Sequence, residues 1–205
     1  MFRLILARHG ETDWNVQRRI QGGSSDVPLN AVGRKQANSI GIALRQRQVQ
    51  AIFSSPQVRA MDTARAIASH HRIEVVAVPA LREIEAGEFE GRMVDALEVS
   101  LSHFLLADGK GELPRMPSGE GLTELRARAW PAIEGIIAGR SSGDVVVVSH
   151  YFTVLVIICS ALGLPLTSLR QLRTSTGSIS TIGFGQLGSI LLSLNDICHL
   201  EGDSR

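Results

Sequence analysis

The sequence contains few cysteines, few aromatic residues and no charge excess of either sign. Of its 205 residues only Cys159 and Cys198 are cysteines, aromatic residues make up 4%, and the formal net charge is +1. Two cysteines are too few for a disulfide scaffold, so we expect both to be small buried thiols. General nucleic-acid binders typically carry a strong basic excess, so the balanced charge argues against that class of protein.

Long hydrophobic runs are also missing. The apolar stretch at residues 1–7 is too short for the apolar region of a signal peptide, and no small-residue cleavage site follows it. Residues 154–164 form the most apolar later segment, which is too short to span a bilayer. We therefore expect a cytoplasmic protein with no membrane or nucleic-acid partner. The sequence makes no prediction of the oligomeric state.

Short apolar segments alternate with segments of helical periodicity. The predicted strands are residues 2–7, 51–53, 75–78, 145–148, 180–184 and 189–194. The predicted helices are residues 31–48, 56–69, 120–138 and 151–162, and Pro131 should bend the third helix or mark its true start. This alternation predicts an α/β fold, a three-layer α/β/α sandwich whose mostly parallel sheet has one antiparallel edge strand. With no internal repeat or obvious linker, residues 1–205 are predicted to form one domain.

Polar residues follow three of the predicted strands, at Arg8-His9, Ser54-Ser55 and Ser149-His150. In sheets of this kind, ligands collect beyond the carboxyl ends of the strands. Two histidines together with Arg8 and Arg59 would form an anion pocket, because guanidinium groups pair with phosphate oxygens and keep their charge. A helix beginning after His150 should add backbone N–H groups to that pocket. No carboxylate cluster with metal-ligand spacing accompanies the histidines, so we expect no metal.

Five motifs in a fixed order resemble those of the histidine phosphatase superfamily, which includes phosphoglycerate mutases and small-molecule phosphatases. The first is the run Arg-His-Gly-Glu-Thr-Asp-Trp-Asn at residues 8–15. The other four are residues 54–64, residues 81–91, Pro-Ser-Gly-Glu at residues 117–120, and Val-Ser-His at residues 148–150. Residues 19–22, residues 26–29, Gly33, Gln36, Ala37 and the tail at 194–200 are also similar, so the resemblance covers nearly the whole chain.

The resemblance implies a role for each matching residue. His9 would attack phosphorus and become a phosphohistidine, which divides the reaction into two easier steps. For this it must be neutral, with one ring nitrogen held as a donor by a backbone carbonyl. Glu83 would protonate the leaving alcohol and then activate water, which requires a raised pKa. The groups expected to bind the phosphoryl oxygens or the substrate are Arg8, Asn15, Gln21, Gly22, Arg59 and His150.

Two departures from the family pattern border the expected pocket. The loop Gly23-Ser24-Ser25 is one residue longer than the common pattern, which would affect specificity. Tyr151 follows His150, where many relatives have glycine. The Tyr151 ring could narrow the pocket, stack on a flat part of the substrate, or pack beneath the helix.

The predicted function is a metal-independent phosphomonoesterase that needs no cofactor and acts on a small phosphorylated metabolite. The first alternative is a cofactor-dependent phosphoglycerate mutase, and the second is a non-catalytic binding protein of the same fold. The compact chain and the step Phe89-Glu90-Gly91 favour the phosphatase branch. A helical flap at residues 92–115 is expected to choose the substrate, but its mixture of apolar and charged residues favours no particular one.

Overall fold

The computed structural model describes residues 1–97 and 113–204. Six strands form one sheet in the order β3-β2-β4-β1-β5-β6. The strands are β1 (Phe2–Arg8), β2 (Val49–Ser54), β3 (Val75–Ala77), β4 (Gly143–Ser149), β5 (Ile179–Gly185) and β6 (Gly188–Asp196). The helices are α1 (Asp13–Val16), α2 (Ala31–Leu44), α3 (Val58–Ala68), α4 (Leu122–Ile137) and α5 (Tyr151–Ala161).

Helices cover both faces of the sheet, because the inner strands are apolar on both sides. Ile5 and Ala7 of β1 and Val146 of β4 pack with buried residues of α2 and α3. Leu4 and Leu6, which alternate with them along β1, pack with buried residues of α4 and α5. The predicted three-layer α/β/α fold is confirmed.

The sheet is mostly parallel, as predicted, and its antiparallel part is a hairpin at one side. β1 pairs in parallel with β4, β4 with β2, and β2 with β3. β5 runs antiparallel to β1, and β6 returns antiparallel to β5. Among the strands of the described residues, β5 therefore runs against the rest, and it lies one position inside the edge strand β6.

Two local predictions differ from the structure, and a third falls largely outside the described residues. Helix α4 continues through Pro131, whose exposed position leaves its ring in solvent, so Pro131 does not mark the start of the helix. Cys159 is buried but Cys198 is exposed, because it follows the end of β6 in a 3-10 helix at Cys198–Ser204. The predicted flap at residues 92–115 stays a prediction, since residues 98–112 lie outside the described residues.

No helix in the described part of the chain is long and apolar enough to cross a membrane.

An ion pair between a buried carboxylate and a partly exposed arginine joins β1 and β4 at the end of the sheet opposite to His9 and His150. The side chain of Asp144 is fully buried, and its Oδ1 accepts a hydrogen bond of 2.7 Å from Nε of Arg3. Arg47 lies 3.7 Å from the other carboxylate oxygen of Asp144. The pair therefore supports the register of the two central strands.

We expect Asp144→Asn to lower the free energy of unfolding by about 1.5–3 kcal/mol, because it weakens a charge-assisted hydrogen bond in a buried place. Urea unfolding measures this change. Asp62→Asn is the matched control, because Asp62 pairs with Arg65 at the surface and such pairs contribute about 0–1 kcal/mol. Equal effects of the two substitutions would contradict the prediction.

Candidate active site

The carboxyl ends of β1 and β4 bring the two predicted histidines together. Arg8 of β1 pairs with Ser149 of β4, and the N–H of His9 donates to the Ser149 carbonyl at 3.0 Å. His150 follows Ser149 directly and precedes α5. The ring centroids of His9 and His150 are 5.1 Å apart. The strand register thus makes neighbours of two residues that lie far apart in the sequence.

Close packing of α2 shapes the loop after β1. A Cβ atom at Gly10 would overlap the carbonyl oxygen of Gly33, and one at Gly33 would overlap that of Glu11. Glycine at both positions lets the two backbones approach. The N–H of Gly10 donates to Oγ1 of Thr63 at 3.1 Å, which ties the loop to α3 as well.

The His9 ring is oriented by a backbone carbonyl. Its Nδ1 lies 2.7 Å from the carbonyl oxygen of Gly10, and the side chain is buried. Because a carbonyl can only accept, Nδ1 carries the proton, and Nε2 of the neutral ring keeps its lone pair. Burial, and then the charges of Arg59 and Arg8, hold the pKa of His9 well below 6.5. His9 is therefore neutral near pH 7.

The His150 ring is equally enclosed. It is fully buried, and its Nε2 lies 2.8 Å from Oγ of Ser55 at the end of β2. Nδ1 of His150 has no hydrogen-bond partner among the described residues. Burial, followed by the charge of Arg59 and then by smaller effects that include Arg8 and Arg128, holds the pKa of His150 well below 6.5.

Two guanidinium groups lie beside these rings, that of Arg8 half-buried and that of Arg59 fully buried. Arg8 donates to the Thr174 carbonyl at 2.7 Å, and its guanidinium lies 5.2 Å from the centre of the Tyr151 ring. Arg59 is fully buried and donates to the carbonyls of Ser25 at 2.8 Å and Gly22 at 3.2 Å. Within the described residues, Nε of both arginines has no hydrogen-bond partner. Burial lowers the pKa of Arg59 to about 10, so it remains a cation.

Thr12 orients two side-chain amides. Its Oγ1 lies 3.0 Å from Oδ1 of Asn15 and 2.9 Å from Oε1 of Gln21. The amide oxygens therefore face Thr12. The nitrogen of Gln21 is buried and has no partner in the described part of the chain. Both amides line the same cavity as His9.

A dense set of hydrogen bonds holds the loop from Gly22 to Ser25. Nε2 of Gln57 donates to the carbonyls of Gly22 at 3.0 Å and Ser25 at 2.9 Å. Oε1 of Glu90 accepts the N–H groups of Gly22 at 2.8 Å and Ser25 at 3.1 Å. Gly22 was expected to bind phosphate or substrate, and it does line the cavity, but its N–H group is engaged by Glu90.

Glu83 accepts the N–H groups at the start of α5. Its Oε2 accepts from Phe152 at 3.1 Å, and its Oε1 accepts from Thr153 at 3.2 Å and from Ile84 at 3.0 Å. The expectation that these helix N–H groups face the anion directly is therefore wrong for Phe152 and Thr153. Burial raises the pKa of Glu83 above its ordinary value, against the opposing effects of the N–H groups of Ile84 and Phe152 and of the charges of Arg59 and Arg8.

A cavity of about 320 Å³ joins these groups. Six of the predicted site residues line it: Arg8, His9, Asn15, Gln21, Gly22 and Glu83. Arg59 and His150 are fully buried beside it. Tyr151 also lines the cavity, and it packs against the hydrophobic core as well.

Several supporting residues were missed at the level of sequence. Gln57 and Thr63 lie inside the second motif, but the motif gave them no role. Gln57 connects the loop at Gly22 to Glu83, because its Oε1 accepts the Glu83 N–H at 3.0 Å. Arg128 donates to the carbonyl of Glu83 at 2.9 Å, and no sequence motif pointed to it.

The chain belongs to the histidine phosphatase superfamily. A family model described as histidine phosphatase superfamily (branch 1) matches residues 4–197. The family predicted from the five ordered motifs is thereby confirmed. In the described part of the chain, no group of three histidine, cysteine, aspartate or glutamate side chains is arranged to hold a metal ion.

Similar proteins include both mutases and phosphatases by name. A protein of Proteus mirabilis (strain HI4320) named probable phosphoglycerate mutase is 34% identical over 98% of this chain and 95% of its own length. The phosphoserine phosphatase of Entamoeba histolytica, solved with 3-phosphoglyceric acid, has a TM-score of 0.86 and 28% identity, covering 98% of this chain and 100% of that one. A mycobacterial glucosyl-3-phosphoglycerate phosphatase has a TM-score of 0.83 and 27% identity, covering 94% of this chain and 98% of that one.

The two buried neutral histidines should make stability depend on pH. Once unfolded, each histidine takes up a proton as the pH falls below about 6.5, whereas in the folded chain His9 and His150 stay neutral. The free energy of unfolding should therefore fall below pH 6.5, by up to about 1.4 kcal/mol per pH unit for each histidine.

Urea unfolding of wild type and of the His9→Asn and His150→Asn variants between pH 5 and pH 7.5 measures this effect. Each variant should show a shallower pH dependence than wild type, and the exposed His70→Asn control should not. An unchanged slope in both site variants would show that the histidines do not resist protonation.

Proposed function

We propose that this protein is a metal-independent phosphomonoester hydrolase that acts through a phosphohistidine at His9. The observation that carries the proposal is the 2.7 Å contact between Nδ1 of His9 and the Gly10 carbonyl. It leaves Nε2 as the nucleophilic nitrogen of a ring that lines the cavity, and the low pKa of His9 keeps that nitrogen unprotonated.

The buried cations supply the charge stabilisation that such a transfer needs. Arg8 and Arg59 are the fixed positive charges, and each has an unpartnered buried Nε. If Ser55 donates to Nε2 of His150, then Nδ1 of His150 carries a proton and donates to a phosphoryl oxygen. Asn15 and Gln21 add amide donors, and Gly22 contributes its backbone to the wall of the cavity. In this mechanism the arginines take the role that a metal ion has in other phosphatases.

Glu83 is the group that we propose to protonate the leaving oxygen and then to accept a proton from water. It lines the cavity with His9, and burial raises its pKa. A carboxyl group with a raised pKa is partly protonated at a pH where an ordinary glutamate is not. When Glu83 carries its proton and is neutral, Arg8 still supplies positive charge to the site.

A phosphoglycerate mutase is the second candidate, favoured by the name of the Proteus mirabilis relative. A mutase uses the same nucleophile but returns the phosphoryl group to a second hydroxyl. Similarity to solved phosphatases over nearly the whole chain supports hydrolysis instead. We propose a small phosphorylated metabolite as substrate, and the cytoplasm as its location, because Cys159 and Cys198 are both free thiols.

His9→Ala should abolish hydrolysis of p-nitrophenyl phosphate, measured with EDTA present, because no nucleophile remains. Wild type should retain full activity in EDTA, and rapid acid-labile labelling by a radioactive phosphomonoester should be lost in the variant. His70→Ala is the control and should behave as wild type. Near-normal turnover by His9→Ala would contradict the assignment of the nucleophile, and efficient phosphoryl transfer to glycerate positions instead of water would favour the mutase.

A further inference from the structure

The described wall of the cavity is largely apolar. Besides the polar groups assigned above and Arg19, the lining consists of hydrophobic side chains: Ile20, Ile84, Val94, Met116, Tyr151 and Phe152. A phosphoryl group needs none of them, because its oxygens are matched by arginine, histidine and amide donors. The apolar side chains are therefore placed to contact what carries the phosphate.

Backbone pairing holds part of this wall in place. Ile20 donates to the Arg92 carbonyl at 2.9 Å and accepts from the N–H of Gly91 at 3.0 Å. Val94 donates to the carbonyl of Arg18 at 2.8 Å. The side chains of Ile20 and Val94 are thus presented by two paired segments, and the wall is formed before any substrate binds.

The described wall offers little to a second anionic group. Arg8 lies at the phosphoryl end beside His9. Arg19 is the other cation among the described lining residues, and it already donates to Gln17 Oε1 at 2.9 Å and to the Gly91 carbonyl at 2.9 Å. These contacts use two of its five N–H groups, and because Arg19 is exposed, a carboxylate of the substrate could gain from it only a solvent-exposed ion pair, which contributes little.

We propose that the preferred substrate is the phosphomonoester of a neutral alcohol with an apolar body. The proposal rests on the proposed phosphatase function. The proposed substrate differs from a phosphoglycerate-like one, whose body carries a carboxylate and hydroxyl groups. Such groups would lose their water against Ile20, Val94 and Phe152 without gaining hydrogen bonds, and this costs binding energy.

Two phosphate esters of the same shape test the proposal. In 2-methylbutyl phosphate, methyl groups replace both hydroxyl groups of glycerol 1-phosphate. The glycerol ester has the better leaving group, so a preference for the apolar ester cannot come from reactivity. We expect kcat/KM to be higher for the apolar ester by about tenfold or more, and lowest for 3-phosphoglycerate. Equal values, or a preference for either polar ester, would overturn the proposal.

Val94→Thr keeps the shape of the side chain but adds a hydroxyl group to the wall. It should reduce the preference for 2-methylbutyl phosphate several-fold. Val76→Thr, at an exposed position of β3, is the matched control and should leave the ratio unchanged. An unchanged ratio in Val94→Thr would also count against the proposal. If p-nitrophenyl phosphate is not hydrolysed at all, the phosphatase function itself fails, which is a different outcome.

A separate observation concerns Arg128 of α4, which forms several hydrogen bonds to the backbone of the segment that carries Glu83. NH1 of Arg128 donates to the carbonyls of Ala80 at 2.7 Å and Arg82 at 2.9 Å, and NH2 donates to that of Glu83 at 2.9 Å. Nε and NH2 also form a bidentate pair with Glu120 at 2.7 and 2.8 Å. All five N–H groups of the guanidinium are thereby used.

Glu120 fastens the other end of the same segment. Its Oε2 accepts the N–H of Glu85 at 3.1 Å, and its own N–H donates to the Glu85 carbonyl at 2.8 Å. Glu83 thus lies between residues that Arg128 and Glu120 hold on both sides. We infer that Arg128 is a positioning residue for the proton-transfer role of Glu83, although it does not line the described cavity.

Arg128→Met should impair the step that depends on proton donation. We expect kcat/KM for phenyl phosphate to fall about tenfold or more, and kcat/KM for 2,4-dinitrophenyl phosphate to change little, because that leaving group needs no proton. The exposed Arg126→Met on the same helix is the control. In a Glu83→Gln background, Arg128→Met should cause almost no further fall in kcat/KM for phenyl phosphate.

A purely structural role predicts another pattern. It would lower kcat/KM equally for both leaving groups, or add its full effect to that of Glu83→Gln, and either result would overturn the inference. If Arg128→Met does not fold, Glu120→Gln weakens the same arrangement more gently and should show the same dependence on the leaving group.

Discussion

The parallel pairing of β1 with β4 is the constraint on which the site depends. The register that places Arg8 opposite Ser149 also sets the His9 N–H on the Ser149 carbonyl, so the residue after each strand projects beyond the same edge. A shift by one residue would turn every side chain of β1 to the other face of the sheet. The register is supported by the packing of Ile5 and Leu6 into opposite core layers and by the ion pair of Asp144 with Arg3.

With the strands in this register, several charges must share a small buried volume. Burial lowers the pKa of Arg8 and Arg59, but both remain cations because the charge of Glu83 opposes that lowering, while His9 and His150 avoid further positive charge by staying neutral. Burial and like charge act in the same direction on both histidines. The proposed nucleophile and the proposed phosphate ligands therefore result from one electrostatic arrangement rather than from two separate ones.

The fold and the main site residues could be predicted because their signals are local or ordered along the chain. Apolar runs that end in polar residues gave the strands, and the motif order gave His9, Arg59, Glu83 and His150. The partners of backbone groups could not be predicted. The N–H groups at the start of α5 donate either to a ligand or to Glu83. Which of the two they contact depends on how the segment after Leu81 packs against the helix, and local sequence does not encode that packing. Arg128 was missed for the same reason, since an arginine on a helix is most often solvated.

Glu83 shows how opposing effects on one group can serve a reaction in two steps. Burial favours the neutral acid, whereas the N–H groups of Ile84 and Phe152 and the nearby arginines favour the carboxylate. A carboxyl group that were only buried would hold its proton too firmly to give it up, and one that were only hydrogen-bonded would seldom carry a proton to give. In the reaction that we propose, the same residue first donates a proton and later accepts one. The position of Glu83 at the start of α5 keeps both protonation states within reach, and the contacts of Arg128 and Glu120 with the surrounding backbone maintain that position.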